Sequence, residues 1–158
     1  MGNGYHSQMN VPSFILGLGL LACASAAVAN PPACAPVAEQ AWIRAAPQSA
    51  TALAGYAVLR NPCERPFVVT DVSSSDFAMG MIHQTIVDKG ISRMRHAKSL
   101  PLPAGSVLKF EPGGKHMMLM HPRRVLKEGD RVRLVLRLAD GRKLDIDAIV
   151  SREAPAKP

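Results

Sequence analysis

A chain of 158 residues, part of it expected to be lost on export, supplies one domain with a modest core and argues against a second. Thirteen prolines and twelve glycines beside only 4% aromatic residues imply many turns joining short segments rather than long helices, so an all-β class is expected. The formal charge of +7 arises wholly from Glu39 onward. In an exported protein it points to solubility, or to steering toward an acidic partner or anionic membrane, and excludes nucleic acid as a sensible partner.

Residues 1–29 read as an export signal. The run from Phe14 to Ala22 has the length of a signal h-region and is too short to span a bilayer, and Ala27-Val28-Ala29 offers small residues for cleavage. No Lys or Arg precedes the run, a departure from the usual positive n-region. Leu20-Leu21-Ala22-Cys23 also resembles a lipoprotein box, which makes lipid anchoring through Cys23 a second route. With Cys23 removed or lipidated, Cys34 and Cys63 remain as a pair, and an oxidising compartment predicts a disulfide between them. A Pro/Ala-rich leader over 30–40 then precedes a β domain over 41–150, and a disordered tail is expected over 151–158.

Within the domain, strand-sized apolar stretches occur at 41–44, 54–60, 67–72 and 81–87, with Asp88-Lys89-Gly90 turning the chain into a returning strand over 91–97. Residues 107–110 lead to the turn signal Glu111-Pro112-Gly113-Gly114, and 115–121 continue beyond it. The last pair is the clearest. Val132, Leu134, Leu136 and Leu138 alternate with arginines, and across Asp140-Gly141 the alternation resumes through Leu144, Ile146, Ala148 and Val150. About seven to nine short strands with Greek-key-like punctuation predict a β-sandwich or small barrel.

Four histidines and six methionines lie between Met79 and His121, whereas the strands over 131–138 and 143–150 contain no methionine. A general preference for methionine as core filler therefore does not explain the cluster. Thioether sulfur is a soft donor suited to copper(I), imidazole ligates copper in either oxidation state, and both survive where thiolates become disulfides. Asp88 and Glu111 lie at turns, so calcium and magnesium fit poorly, and zinc is expected to want a further His, Cys or acid.

Alternation along 115–121 puts His116, Met118 and Met120 on one face. In the preceding hairpin, a four-residue loop sets His83 opposite Met94, a two-residue loop leaves Met94 diagonal on the same face, and a three-residue loop turns it away. The expected metal ligands are His83, Met94, His116 and Met118, with Met120 either packed behind them or an alternative ligand. Met79, Met81, Met117, His96 and His121 are assigned to packing or surface. Each of these side chains taken singly fits core packing or an ordinary surface histidine, and only the joint pattern points to metal.

The order His83, ten residues, Met94, twenty-one residues, His116, one residue, Met118 resembles the H-x10-M-x21-H-x-M pattern of periplasmic copper chaperones of the PCu(A)C type. Ala41-Trp42-Ile43-Arg44, Ala54-Gly55-Tyr56, the run from Glu111 to Met120, and Leu126-Lys127-Glu128-Gly129-Asp130 extend the resemblance over residues 42–150. It implies a cupredoxin-like Greek-key β-barrel that binds one copper(I) and passes it to an acceptor protein in cytochrome c oxidase assembly. Residues 151–158 lack the His and Met of the C-terminal extension found in some members, so no second site is expected in the tail. A monomer is expected. An electron-transfer copper protein and a metal-free secreted binding module are the rival readings, and no nucleophile with a nearby base supports an enzyme.

Overall fold

The structure is a computed structural model that describes residues 1–4 and 34–155; the signal sequence, Cys23 and the end of the tail lie outside the described residues. Residues 1–4 have no regular secondary structure. Residues 34–155 form ten strands and no helix: β1 (Val37–Arg44), β2 (Ala52–Arg60), β3 (Phe67–Ser73), β4 (Phe77–Asp88), β5 (Ile91–His96), β6 (Leu100–Leu102), β7 (Val107–Phe110), β8 (Lys115–Pro122), β9 (Arg131–Leu138) and β10 (Lys143–Ser151). The all-β expectation holds. The strand count exceeds the expected seven to nine because β6, only three residues long, carries too little alternation to be read from sequence. β1 begins at Val37, inside the stretch read as leader, and β10 reaches Ser151, the first residue of the expected tail.

The strands pair in the order β5-β4-β8-β2-β1-β10-β9-β3-β6, with β7 also on β2. The first and last strands lie side by side in parallel, Trp42 facing Ile149, while the other ladders are antiparallel. Near the two ends of this order, β3 and β4 meet face to face at Gly80. A Cβ there would collide with the Val72 backbone carbonyl, so only glycine allows these two strands to approach this closely. The enclosed space is filled by Ile43, Leu59, Val69, Val72, Ile82, Leu102, Met117, Leu119, Leu134 and Leu136, all fully buried. Each such side chain contributes roughly 1.5–3 kcal/mol on leaving water. On β9 and β10 the alternating residues fall as their sequence dictates, apolar side chains inward and most charged ones outward.

Two devices hold the irregular parts. Cys34 and Cys63 are joined as a disulfide, tying the chain before β1 to the loop after β2. Beside it the buried Asn61 side chain donates to the carbonyls of Arg65, Leu102 and Pro103 and accepts from the Cys63 amide, so a loop without sheet partners has its polar groups satisfied. On the outer face Trp42 stacks against Tyr56 with ring centroids 4.6 Å apart, and the Arg44 guanidinium lies 5.7 Å from each.

Candidate metal centre

The hairpin of β4 and β5 turns through Lys89 and Gly90 alone, since Asp88 pairs with Ile91. Both turn residues have positive φ, 49° and 78°, which is the two-residue loop whose twist matches that of the strands it joins. The two-residue alternative is thus the one realised. Met94 faces Thr85 and stands diagonal to His83, on its face of the sheet, while the residue directly opposite His83 is His96.

On its other side β4 pairs with β8, and here His83 faces His116 and Met81 faces Met118. One face of three adjacent strands therefore carries His83, Met94, His116 and Met118, which the fold brings together as neighbours or diagonals. The imidazole of His83 sits between two others, its ring centroid 5.8 Å from that of His116 and 6.0 Å from that of His96, each nearly perpendicular. Met120 extends the β8 row, facing Met79 on β4 and Ala52 on β2. Met117 points the opposite way and is wholly buried in the core, as assigned. His121 is exposed at the end of β8.

The sequence assigns His96 and Met81 to packing or surface, and the structure sets both on the sheet face that carries His83, Met94 and Met118. Their signal was available: choosing the two-residue turn from the Lys-Gly pair fixes His96 opposite His83 by counting alone. Met81 is two residues before His83 and so shares its face on any strand.

The loop between β7 and β8 orients the site. β7 and β8 both run antiparallel to β2, covering residues 57–60 and 52–55 respectively, so the Glu111–Gly114 segment is an outward loop between two stretches on the same side of β2, not a hairpin tip. Gly113 takes the positive φ of 78° that this loop needs. The Gly114 carbonyl then accepts from the Thr85 amide at 3.1 Å and from His116 Nδ1 at 3.2 Å. A carbonyl only accepts, so His116 carries its proton on Nδ1 and keeps the Nε2 lone pair for a metal, the arrangement usual in ligating histidines.

His83 has the complementary property. Its Nδ1 is buried with no hydrogen-bond partner, a vacancy in protein contacts that a bound cation would satisfy. Burial, and then the neighbouring His116 and His96, hold its pKa below the ordinary 6.5, so the ring is neutral and able to ligate at neutral pH. Burial grades across the site: His116 is 7% exposed and Met94 62%, which makes an inner imidazole and an outer thioether. No three His, Cys, Asp or Glu side chains among the described residues are grouped to hold an ion. A groove of about 580 Å³ lies elsewhere, along Trp42, Arg60, Lys109 and Phe110, and includes none of these donors. Cavity size does not locate this site because an ion needs donors rather than volume.

Comparison with known proteins follows the same outline. Residues 37–150 match the family described as "Putative lipoprotein LpqE-like". A relative named "Putative lipoprotein Lxx21020", from Leifsonia xyli subsp. xyli, is 35% identical over 104 residues, covering 65% of this chain and 61% of that protein; the chain thus spans less than two thirds of that relative. Among solved structures, the copper-bound PCuAC domain from PmoF2 superposes with a TM-score of 0.61 at 26% identity, covering 76% of this chain and 93% of that one. CuI-DR1885 from Deinococcus radiodurans gives 0.59 at 28% identity, covering 79% and 82%. The apo PCuAC domain from PmoF1, at 22% identity and a TM-score of 0.62, shares the fold, covering 76% and 94%. With most of its β domain matched and the same all-β architecture, the chain belongs to the LpqE-like family.

Proposed function

We propose that this protein is an exported copper(I) chaperone that holds one ion through His83, Met94, His116 and Met118 and passes it to an acceptor protein. The observation that carries this reading is the cross-strand register: His83 directly opposite His116, with Met118 and Met94 as its diagonal neighbours on one sheet face. Two soft thioethers and two imidazoles suit copper(I) and disfavour hard cations. The copper-bound PmoF2 domain and CuI-DR1885 share this fold, which supports copper as the cargo here.

The graded burial suggests how cargo moves. His116 and His83 form an inner anchor, while the exposed Met94 is the ligand that an incoming donor of the acceptor can displace first. Transfer then proceeds by stepwise ligand exchange without change of oxidation state. Both cysteines among the described residues are in the disulfide, so neither offers a thiolate for a blue-copper centre, which favours carriage over electron transfer. The lipoprotein names of the family and of the Leifsonia relative support export and, through Cys23, anchoring. Delivery in the periplasm toward cytochrome c oxidase assembly extends the same reading.

An anaerobic competition titration with a copper(I) chelator tests it. One ion bound tightly, with affinity reduced at least tenfold (about 1.4 kcal/mol) in the His83→Ala/Met118→Ala variant, is expected. Unchanged affinity in that folded variant overturns the ligand assignment.

A further inference from the structure

Beyond the two imidazoles the donor face continues. Met81 faces Met118 and Met79 faces Met120 in two same-face pairs of the β4–β8 ladder, with Gly80 opposite Leu119 between them, so four thioethers stand at the corners of one patch. In such a ladder directly opposed Cβ atoms lie ~5 Å apart and diagonal ones about 7–8 Å, within reach of methionine side chains that lean inward. On the β2 side the neighbours are small, Ala54 beside Met118 and Ala52 beside Met120, and leave the space above the sulfurs open. Met79 is 54% exposed, an uncommon place for a large apolar side chain and an open approach for an ion. The core contribution of β8 comes from Met117 and Leu119 on the opposite face, while Met81, Met118 and Met120 are half-buried on this one.

We propose that Met79, Met81, Met118 and Met120 form a second soft-metal site, a thioether-only position for copper(I) or silver(I) beside the His/Met site. It rests on the reading above only in sharing Met118. Because Met118 is a corner of both, an ion in the methionine patch can move inward by exchanging one thioether for an imidazole, with its charge and oxidation state unchanged. The outer patch then serves as the loading position and the histidines as the tighter holding position.

Native mass spectrometry of the disulfide-intact protein, loaded anaerobically with excess tetrakis(acetonitrile)copper(I), tests this. The wild type is expected to carry two ions at saturation, with Met118 then serving the His/Met site and Met79, Met81 and Met120 holding the outer ion. Met79→Leu/Met81→Leu, which keeps side-chain bulk and touches no ligand of the first site except through packing, is expected to carry one. His83→Ala/Met94→Leu is expected to retain one ion in the methionine patch. A wild type that saturates at one ion, or a folded Met79→Leu/Met81→Leu variant that still carries two, overturns the second site. If instead His83→Ala/Met94→Leu still carries two, the His/Met assignment fails while the methionine site stands or falls on the other variant.

Discussion

His83 and His116 face each other directly across β4 and β8, their rings 5.8 Å apart and nearly perpendicular, with a hydrogen bond to Gly114 fixing one and a buried unpartnered nitrogen on the other. Two imidazoles held so close repel when charged. Charge on the neighbouring ring therefore disfavours protonation of His83.

The pH dependence follows from that arrangement. Burial first, then His116 and His96, lower the His83 pKa below 6.5. In the unfolded chain the same ring takes up its proton near 6.5, so below that pH the unfolded state binds more protons than the folded one. Stability of the metal-free protein is expected to be complete above pH 6.5 and to decline as pH falls from there toward the lower folded value. Copper(I) affinity is expected to persist below 6.5 further than for an ordinary histidine site. A proton NMR titration of the His83 ring should give a midpoint under 6.5; one at or above it refutes the expectation.

Replacing His96 with alanine separates its influence from that of a ligand. His96 lowers the His83 pKa as a neighbouring charge, so its removal is expected to raise the His83 midpoint toward 6.5. Copper(I) affinity should fall less than in His83→Ala. Equal losses in the two variants would instead make His96 a ligand of the same rank.

Gly80→Ala should destabilise the fold without touching a donor. The added Cβ meets the Val72 carbonyl, which is backbone and cannot swing aside, so a cost of about 1–3 kcal/mol is expected from overpacking. Urea denaturation measures it, and a change below experimental error would mean that β3 and β4 can separate freely.

The Cys34–Cys63 bridge closes a loop with a sequence separation of 29, for which chain entropy gives a contribution of roughly 3–4 kcal/mol. Cys34→Ser/Cys63→Ser is expected to lower the denaturation midpoint by a corresponding amount while leaving copper(I) stoichiometry intact. Loss of copper binding in a folded double serine variant would show that the bridge also shapes the site.

Much of this was readable from the chain because β-structure writes itself with period two. The alternation in β9 and β10 is unambiguous, and the His-x-Met spacing in β8 places both donors on one face whatever the fold. What local pattern leaves open is which strand lies next to which. His83 facing His116 is a contact across 33 positions, set by β4 pairing with β8 rather than by anything in either segment. His96 was passed over for a different reason: the hairpin admitted more than one loop length, and each length assigns a different partner to His83. β6 escaped because three residues are too few to show a period.

β5 is the last strand in the pairing order, joined by a ladder to β4 alone, and all six of its residues are exposed. Met94 and His96 ride on it, whereas His83, His116 and Met118 are on strands flanked on both sides. Fraying of this one ribbon would lift Met94, one of the four proposed ligands, together with His96, and leave the other three where they were, so the grip on an ion held there could be loosened without unfolding the domain. Amide exchange should accordingly be fastest along residues 91–96 in the metal-free protein and slow there when an ion ties the ribbon down.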